Sequence, residues 1–114
     1  MITEYIRYTL ANHEPAALIA AYVEAGRHLA AASECIAYEL TQCIDDEKNF
    51  ILRIHWTSAP AHLQGFRGGE HFPPFLAAIQ PFITEIAEMR HYETVPEVSW
   101  SSIKGFGDRA QIGS

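Results

Sequence analysis

The sequence is poor in cysteine and in basic residues. It holds two cysteines and no C-x-x-C pair, so we expect neither a disulfide framework nor a cysteine-rich metal site. Eight Lys and Arg residues stand against 14 Asp and Glu residues, which gives a formal net charge of −6 with histidine neutral. Phosphate binding needs clustered basic side chains, and those here are scattered along the chain. The composition therefore predicts no nucleic-acid partner.

Long hydrophobic runs are also missing. No run approaches the roughly 20 apolar residues of a membrane-spanning helix, and the first ten residues lack the basic, apolar and small-residue regions of a secretory signal. We therefore expect a cytoplasmic protein without a membrane partner. Cys35 and Cys43 border one expected strand, which would hold them about 26 Å apart, too far for a disulfide. We expect both to be buried thiols.

What is present is a composition typical of one folded domain. The 114 residues are 48% hydrophobic and 19% charged, which is enough apolar material for a real core. Four segments have the alternating or β-branched and aromatic pattern of strands. These are residues 2–10, 35–42, 50–56 and 89–95. In the first strand Glu4 shares its face with Ile6 and Tyr8, and the polar segment 45–49 predicts a hairpin between the second and third strands.

Helical spacing of apolar residues marks three further segments, which are residues 16–32, 59–66 and 70–79. Asn12 and Ser58 are the expected N-caps of the first two helices. Pro81 should end or kink the third helix, although helical spacing continues to residue 87.

The order strand, helix, strand, strand, helix, strand predicts an α+β fold of the ferredoxin-like βαββαβ type. Helices would cover one face of the sheet, and a second copy of the chain would bury the other face in a homodimer. We assign this domain to residues 1–95. Residues 96–114 form a C-terminal extension that we expect to pack on a neighbouring surface such as the partner subunit, with a frayed tail as the alternative.

The run from Trp56 to Phe82 reads W-x-S-x-x-x-H-L-x-G-F-R-x-x-x-x-F-x-x-F-L-x-x-I-x-P-F, and E-M-R-H-Y-E follows, ending at Glu93. This pattern resembles the antibiotic biosynthesis monooxygenase family, which includes quinol monooxygenases. The resemblance covers residues 2–95 and implies a dimeric α+β barrel. Its implied activity is cofactor-independent oxygenation of a small phenolic or quinol-type aromatic compound. No cofactor and no metal are expected.

The chain departs from the family at one histidine position. Many members carry a histidine about ten residues after the strand-ending Trp, and here that place is Gly65 or Phe66, beside a one-residue insertion. A second common histidine is retained as His71. Haem-degrading members of the fold have Asn, Trp and an axial His where this chain has Ile6, Phe66 and Phe75, so haem degradation is disfavoured.

The candidate site residues follow from the resemblance and from side-chain chemistry. We expect His71 to be the catalytic base, Arg67 to hold a phenolate oxygen and His91 to be a second base or ligand. The alternatives are a helix-terminal His71 facing water, an Arg67 paired with Glu70, and an interface His91. We expect the substrate pocket to be lined by Trp56, His62, Phe66, Phe72, Phe75 and Tyr92, with plain core packing as the alternative for the aromatic residues.

Two further functions stay open at this point. The same pocket could belong to a non-catalytic dimeric module that binds a small aromatic ligand, and an isomerase on this scaffold is a minor alternative. A metal site has little support, because Glu70, His62 and His71 do not match H-E-x-x-H.

Overall fold

A computed structural model describes residues 1–102, in the predicted order of strands and helices. The strands are β1 (Ile2–Thr9), β2 (Cys35–Gln42), β3 (Asn49–Trp56) and β4 (Ile86–Glu93). The α-helices are α1 (Pro15–Ala31) and α2 (Phe72–Ile79). A π-helix spans Ala61–Phe66, and 3-10 helices span Gln80–Glu85 and Pro96–Val98. The predicted α+β ferredoxin-like fold is confirmed.

The four strands form one antiparallel sheet in the order β2-β3-β1-β4. Glu4 of β1 lies opposite Ile54 of β3 on one side and opposite His91 of β4 on the other. Residues directly opposite each other in an antiparallel sheet project from the same face. Glu4, Ile54 and His91 therefore share one face, which is the face that the helices cover.

The core lies between the sheet and α1. The helix buries the predicted stripe of Leu18, Tyr22, Ala25 and Leu29. The sheet contributes alternate residues of β3, and Phe50, Leu52, Ile54 and Trp56 are each no more than 1% exposed. This alternation follows from the two-residue period of a strand, which places every second side chain on the core face.

The segment before α2 is a π-helix, whereas its apolar spacing predicted an α-helix. The Ser58 hydroxyl accepts the N–H of Ala61 at 3.0 Å, which agrees with its predicted capping position. At the other end, the N–H of Arg67 donates to the carbonyl of His62 at 3.2 Å, five residues back rather than four. A π-turn accommodates one extra residue in a helix, and the resemblance placed a one-residue insertion at this point.

Other boundaries also differ from the prediction. Glu14 rather than Asn12 is the N-cap of α1, because Pro15 already begins the helix. The spacing that continued past Pro81 belongs to a 3-10 helix, so β4 begins at Ile86, three residues earlier than expected. Cys35 is buried as predicted, but Cys43 is exposed because it lies just past the end of β2.

The sheet face away from the helices carries exposed aromatic side chains. Tyr5 and Tyr92 meet edge to face with ring centroids 5.4 Å apart, and beside them a groove of about 450 Å³ runs along residues 93–95. In the extension, Val98 and Trp100 are exposed, while Ile103 and Phe106 lie outside the described residues. In the described part of the chain, no helix is long and apolar enough to cross a membrane.

Candidate functional site

Three distant segments meet around a buried carboxylate on the helix side of the sheet. Glu4 comes from β1, His62 from the π-helix and His91 from β4, and Trp56 at the end of β3 lies against them. We call these four residues the Glu4 cluster. The sheet register places His91 beside Glu4, while the turn after β3 brings the π-helix back over the same face.

Glu4 is the most deeply buried charged residue of the described chain, with 2% of its surface exposed. The indole Nε1–H of Trp56 donates to its Oε1 at 3.1 Å. Burial raises the pKa of the carboxyl above its usual value, while the Trp56 hydrogen bond and the positive charges of His91 and Arg67 act in the opposite direction. The carboxyl group is therefore buried, held in place by the Trp56 N–H and flanked by the imidazoles of His62 and His91.

His62 is sandwiched between Trp56 and His91. Its ring stacks on the indole with centroids 4.6 Å apart and planes 20° apart. Its Nδ1 lies 2.8 Å from Nε2 of His91, and its Nε2 lies 3.4 Å from Oε1 of Glu4. Burial, together with the positive charges of His91 and Arg67, lowers the pKa of His62 to about 4. The ring is therefore neutral near pH 7.

One arrangement of protons satisfies these contacts. A neutral imidazole donates through one nitrogen and accepts through the other. With Nε2–H of His62 facing the Glu4 carboxylate, Nδ1 of His62 accepts the hydrogen bond, and Nε2–H of His91 donates it. The second nitrogen of His91, Nδ1, then carries a lone pair that can accept a proton. The side chain of His91 is 35% exposed, so its ring lies partly at the surface.

Aromatic residues extend the site away from the cluster. Phe66 lies 5.0 Å from Trp56 between ring centroids, and Phe72 and Phe75 lie 5.7 and 5.4 Å from Phe66. Phe66 and Phe75 are buried and Phe72 is half-buried. The structure thus brings together four of the five aromatic residues that the sequence suggested as pocket lining, next to His62 and His91; the fifth, Tyr92, lies elsewhere.

His71 lies apart from the Glu4 cluster contacts, at the start of α2. Its nearest charged partner is the exposed Glu70, at 3.8 Å. It borders a cavity of about 220 Å³, whose lining residues are Ala31, Ser33, Glu34, Gly65, Phe66, Gly69, Glu70 and His71. Phe66 therefore connects this cavity to the Glu4 cluster, because it lines the cavity and its ring packs on Trp56.

Of the remaining two predicted site residues, Arg67 lies near the Glu4 cluster and Tyr92 lies on the other face of the sheet. Arg67 is exposed, yet its positive charge influences the pKa of both Glu4 and His62, so it lies near the Glu4 cluster. Tyr92 projects from the opposite face of the sheet, against Tyr5. It follows His91 in β4, and successive strand residues point to opposite faces.

Sequence reasoning placed Glu4 on the core face but gave it no role. The available signal was a single carboxylate among apolar residues on an alternating strand, and buried carboxylates are rare unless they are paired. The three side chains Glu4, His62 and His91 each offer one ligand atom, and these atoms lie within 4.8 Å of one another. The group could act in proton transfer or hold a cation.

The fold and the arrangement of the site define an α+β ferredoxin-like protein with a polar cluster between sheet and helices. The family model of the antibiotic biosynthesis monooxygenases matches residues 1–78, about two thirds of the chain. The chain belongs to this family.

Solved structures share the fold. A Bordetella bronchiseptica protein described as an antibiotic biosynthesis monooxygenase superposes with a TM-score of 0.71 at 19% identity, covering 82% of this chain and 96% of that one. SnoaB, a cofactor-independent oxygenase from Streptomyces nogalater, superposes with a TM-score of 0.63 at 17% identity, covering 83% and 96%. At these identities the likeness concerns the fold.

A curated relative is the uncharacterized protein YczJ of Bacillus subtilis strain 168. It is 25% identical over 60 residues, which are 53% of this chain and 63% of YczJ. The match thus spans less than two thirds of the relative's length.

Proposed function

We propose that the protein is a cofactor-independent monooxygenase that acts on a small phenolic or quinol-type aromatic compound, with His91 as the catalytic base. The observation that carries this proposal is the hydrogen bond of 2.8 Å between His91 and His62, beside the buried carboxylate of Glu4. Family membership supports the reaction class, and SnoaB, which shares the fold, is a cofactor-independent oxygenase.

The chemistry requires a base more than a redox group. Removing the hydroxyl proton of a hydroquinone gives an electron-rich anion that can reduce dioxygen directly. For a hydroquinone, one O₂ is consumed, one oxygen atom enters the ring and the other leaves as water, and the product is a hydroxyquinone. Both electron pairs needed to reduce O₂ come from the substrate. The protein must supply a positioned base, stabilisation of the anion and protection from water.

The Glu4 cluster supplies the base. Nδ1 of His91 accepts the substrate proton, and the ring becomes an imidazolium. Its Nε2 lies 3.5 Å from Oε2 of Glu4, so the buried carboxylate stabilises the positive charge that forms. Nδ1 of His62 accepts the hydrogen bond from Nε2–H of His91, which keeps the proton of the His91 ring on Nε2 and leaves its Nδ1 free to act as the base. A carboxylate that orients and stabilises an imidazole in this way is common in proton-transfer sites.

Neighbouring residues complete the proposed site. Arg67 would hold the oxyanion of the deprotonated substrate with its forked N–H donors. Phe66 and Phe72 would pack on the aromatic ring of the substrate and exclude water. His71 at the adjacent cavity is the second candidate base. Comparing the turnover of His71→Ala with that of His91→Ala therefore decides which histidine is the base.

We also propose that the functional unit is a homodimer. The sheet face that carries Tyr5 and Tyr92 has exposed apolar side chains, and a second copy of the chain would cover them. The small aromatic ligand would then be bound on the other face of the sheet, within each subunit.

Oxygen uptake tests the proposed reaction. Chelator-treated protein is mixed with a panel of hydroquinones and phenols, and uptake above the autoxidation rate is measured. We expect His91→Ala to lower kcat by a factor of about 100 or more, and His28→Ala, on α1 and outside the Glu4 cluster, to leave it unchanged. Loss of turnover in His71→Ala but not in His91→Ala would move the base to His71. Binding of panel members without turnover would favour the non-catalytic binding module.

A further inference from the structure

We propose that Glu4, His62 and His91 form a binding site for one divalent first-row transition-metal ion of the Zn²⁺ type. Within residues 1–102, these side chains are the one group of three or more histidine, cysteine or acidic residues whose ligand atoms all lie within 4.8 Å of one another. The sequence suggested no metal because its histidines match no local motif. Here the ligands come from two strands and a π-helix that are distant in sequence.

The spacing of the ligand atoms suits a tetrahedral ion. Zn²⁺ binds imidazole nitrogen and carboxylate oxygen at about 2.0–2.2 Å, which separates neighbouring ligand atoms by about 3.3 Å. Nε2 of His62 lies 3.4 Å from Oε1 of Glu4, and Nε2 of His91 lies 3.5 Å from Oε2. One ligand atom from each of the three residues lies within 4.8 Å of the other two, so small side-chain movements would bring them around one ion. Two imidazoles and one carboxylate are also a donor set that transition metals prefer over Ca²⁺ or Mg²⁺. Three protein ligands leave a fourth position open.

Burial and supporting contacts resemble those of built metal sites. Glu4 and His62 are 2% and 3% exposed, so a cation there would neutralise a carboxylate that is otherwise buried without a lysine or arginine ion-pair partner among the described residues. The Trp56 N–H donates to Glu4 at 3.1 Å and orients the carboxylate, as outer hydrogen bonds do for metal ligands. His91 is partly exposed and provides a path for the ion to enter.

One charge opposes the ion. Arg67 lies near enough to affect Glu4 and His62, and its positive charge would repel a divalent cation. Its side chain is exposed, however, and charges at the surface are screened by water and salt. The repulsion is therefore weaker than the attraction of a buried carboxylate that touches the ion directly.

Metal binding would have a consequence for the reaction, and this consequence rests on the proposed function. In the metal-free cluster the proton of His91 is on Nε2, and Nδ1 is the base. An ion bound at Nε2 moves the ring proton to Nδ1, because a neutral imidazole carries one proton. The metal-bound protein would then lack the proton acceptor, so Zn²⁺ would inhibit the oxygenase.

Calorimetric titration of chelator-treated, full-length protein with Zn²⁺ tests the site, and Co²⁺ absorption reports the coordination geometry. We expect one ion per chain. His91→Ala and Glu4→Gln should weaken Zn²⁺ binding by a factor of about 10 or more. Loss of a residue that only supports a metal ligand already has an effect of this size, and loss of a ligand should have at least the same effect. His91 is on an exposed edge strand, so its variant should fold even if Glu4→Gln does not; circular dichroism checks both.

His71→Ala and Cys43→Ser are the matched controls, because these residues carry metal-binding side chains outside the cluster. Both should bind Zn²⁺ as the wild type does. The proposal is overturned if His91→Ala binds Zn²⁺ with unchanged affinity, or if binding is lost in either control. Neither measurement involves turnover, so an inactive protein that binds Zn²⁺ would refute the proposed function and not the metal site.

Discussion

The indole of Trp56 and the imidazole of His62 are nearly parallel, with planes 20° apart and centroids separated by 4.6 Å. The same indole donates its N–H to Glu4 at 3.1 Å. One side chain therefore sets the position of both the carboxylate and the first imidazole of the cluster. The stack needs only the aromatic face of Trp56, whereas the hydrogen bond needs its N–H, so the two contributions can be separated by mutation.

Trp56→Phe should keep much of the stack on His62 and remove the donor to Glu4. A buried acceptor that loses its partner costs about 1–3 kcal/mol, and the smaller ring adds a packing loss. We expect the free energy of unfolding, measured in urea, to fall by at least that amount. Trp100→Phe is the control because Trp100 is exposed. Equal stability of the two variants would show that the hydrogen bond contributes nothing.

The exposed sheet face leads to a prediction about assembly. If a second copy covers this face, Tyr5→Lys should place a charge in the interface and dissociate the homodimer, while Val23→Lys on the outer surface of α1 should not. Light scattering after gel filtration gives the molar mass of each variant. A wild-type protein with the mass of a single chain would contradict the proposed dimer.

Glu85 should make the stability of the fold sensitive to acid. Its Oε1 accepts the N–H groups of Ala11 and Asn12 at 2.8 and 2.7 Å, and its Oε2 contacts the ring of His13. Burial alone would raise the pKa of Glu85, but the hydrogen bonds from Asn12, Ala11 and His13 outweigh it and lower the pKa to about 2.

A carboxyl whose pKa is lower in the folded state stabilises the fold above its unfolded pKa of about 4.3, and this contribution is lost as the pH falls. We expect wild-type stability to decrease from about pH 4.5 towards pH 2, and Glu85→Gln to be less stable at neutral pH with a flatter acid profile. Urea unfolding across this range measures both, with the exposed Glu47→Gln as control. A Glu85→Gln profile parallel to the wild type would contradict this role.

Gly26 in α1 lies against the ring of Tyr38, and a Cβ atom at Gly26 would overlap the Tyr38 hydroxyl and ring. Gly26→Ala should therefore destabilise the protein by about 1–2 kcal/mol, the cost of overpacking less the helix-propensity gain. In a Tyr38→Ala background the overlap is gone, and the same change should stabilise by up to ~1 kcal/mol. Chemical denaturation of the wild type, the two single variants and the double variant gives both changes in the free energy of unfolding. If Gly26→Ala destabilised the protein equally in both backgrounds, the contact with Tyr38 would be refuted.

Local patterns predicted much of the fold. The alternation of β3 and the stripe from Leu18 to Leu29 gave the correct buried faces, because strand and helix periods act over a few residues. The start of β4 was wrong because the spacing around Pro81 fits a 3-10 helix as well as an α-helix. Cys43 was wrong because burial preference was applied to a residue just outside a strand.

The site was predicted in part. Trp56, His62, Phe66 and His91 were selected by residue type and resemblance, and the structure brings them together, although their roles are untested. The importance of Glu4 could not be read from its neighbours in sequence, because it depends on the pairing of β1 with β4. The sequence favoured His71 over His91 as the base, whereas the sheet register places His91, and not His71, beside Glu4.

The wide turn between Ala61 and Phe66 makes the length of this segment as important as its composition. Each residue of an α-helix turns the chain by about 100°. Removing one residue such as Gln64 would let the segment tighten into an ordinary helix and would swing His62 by about that angle relative to Phe66. Relatives that lack the extra residue should therefore present a different side chain to the carboxylate, even where their aromatic residues align.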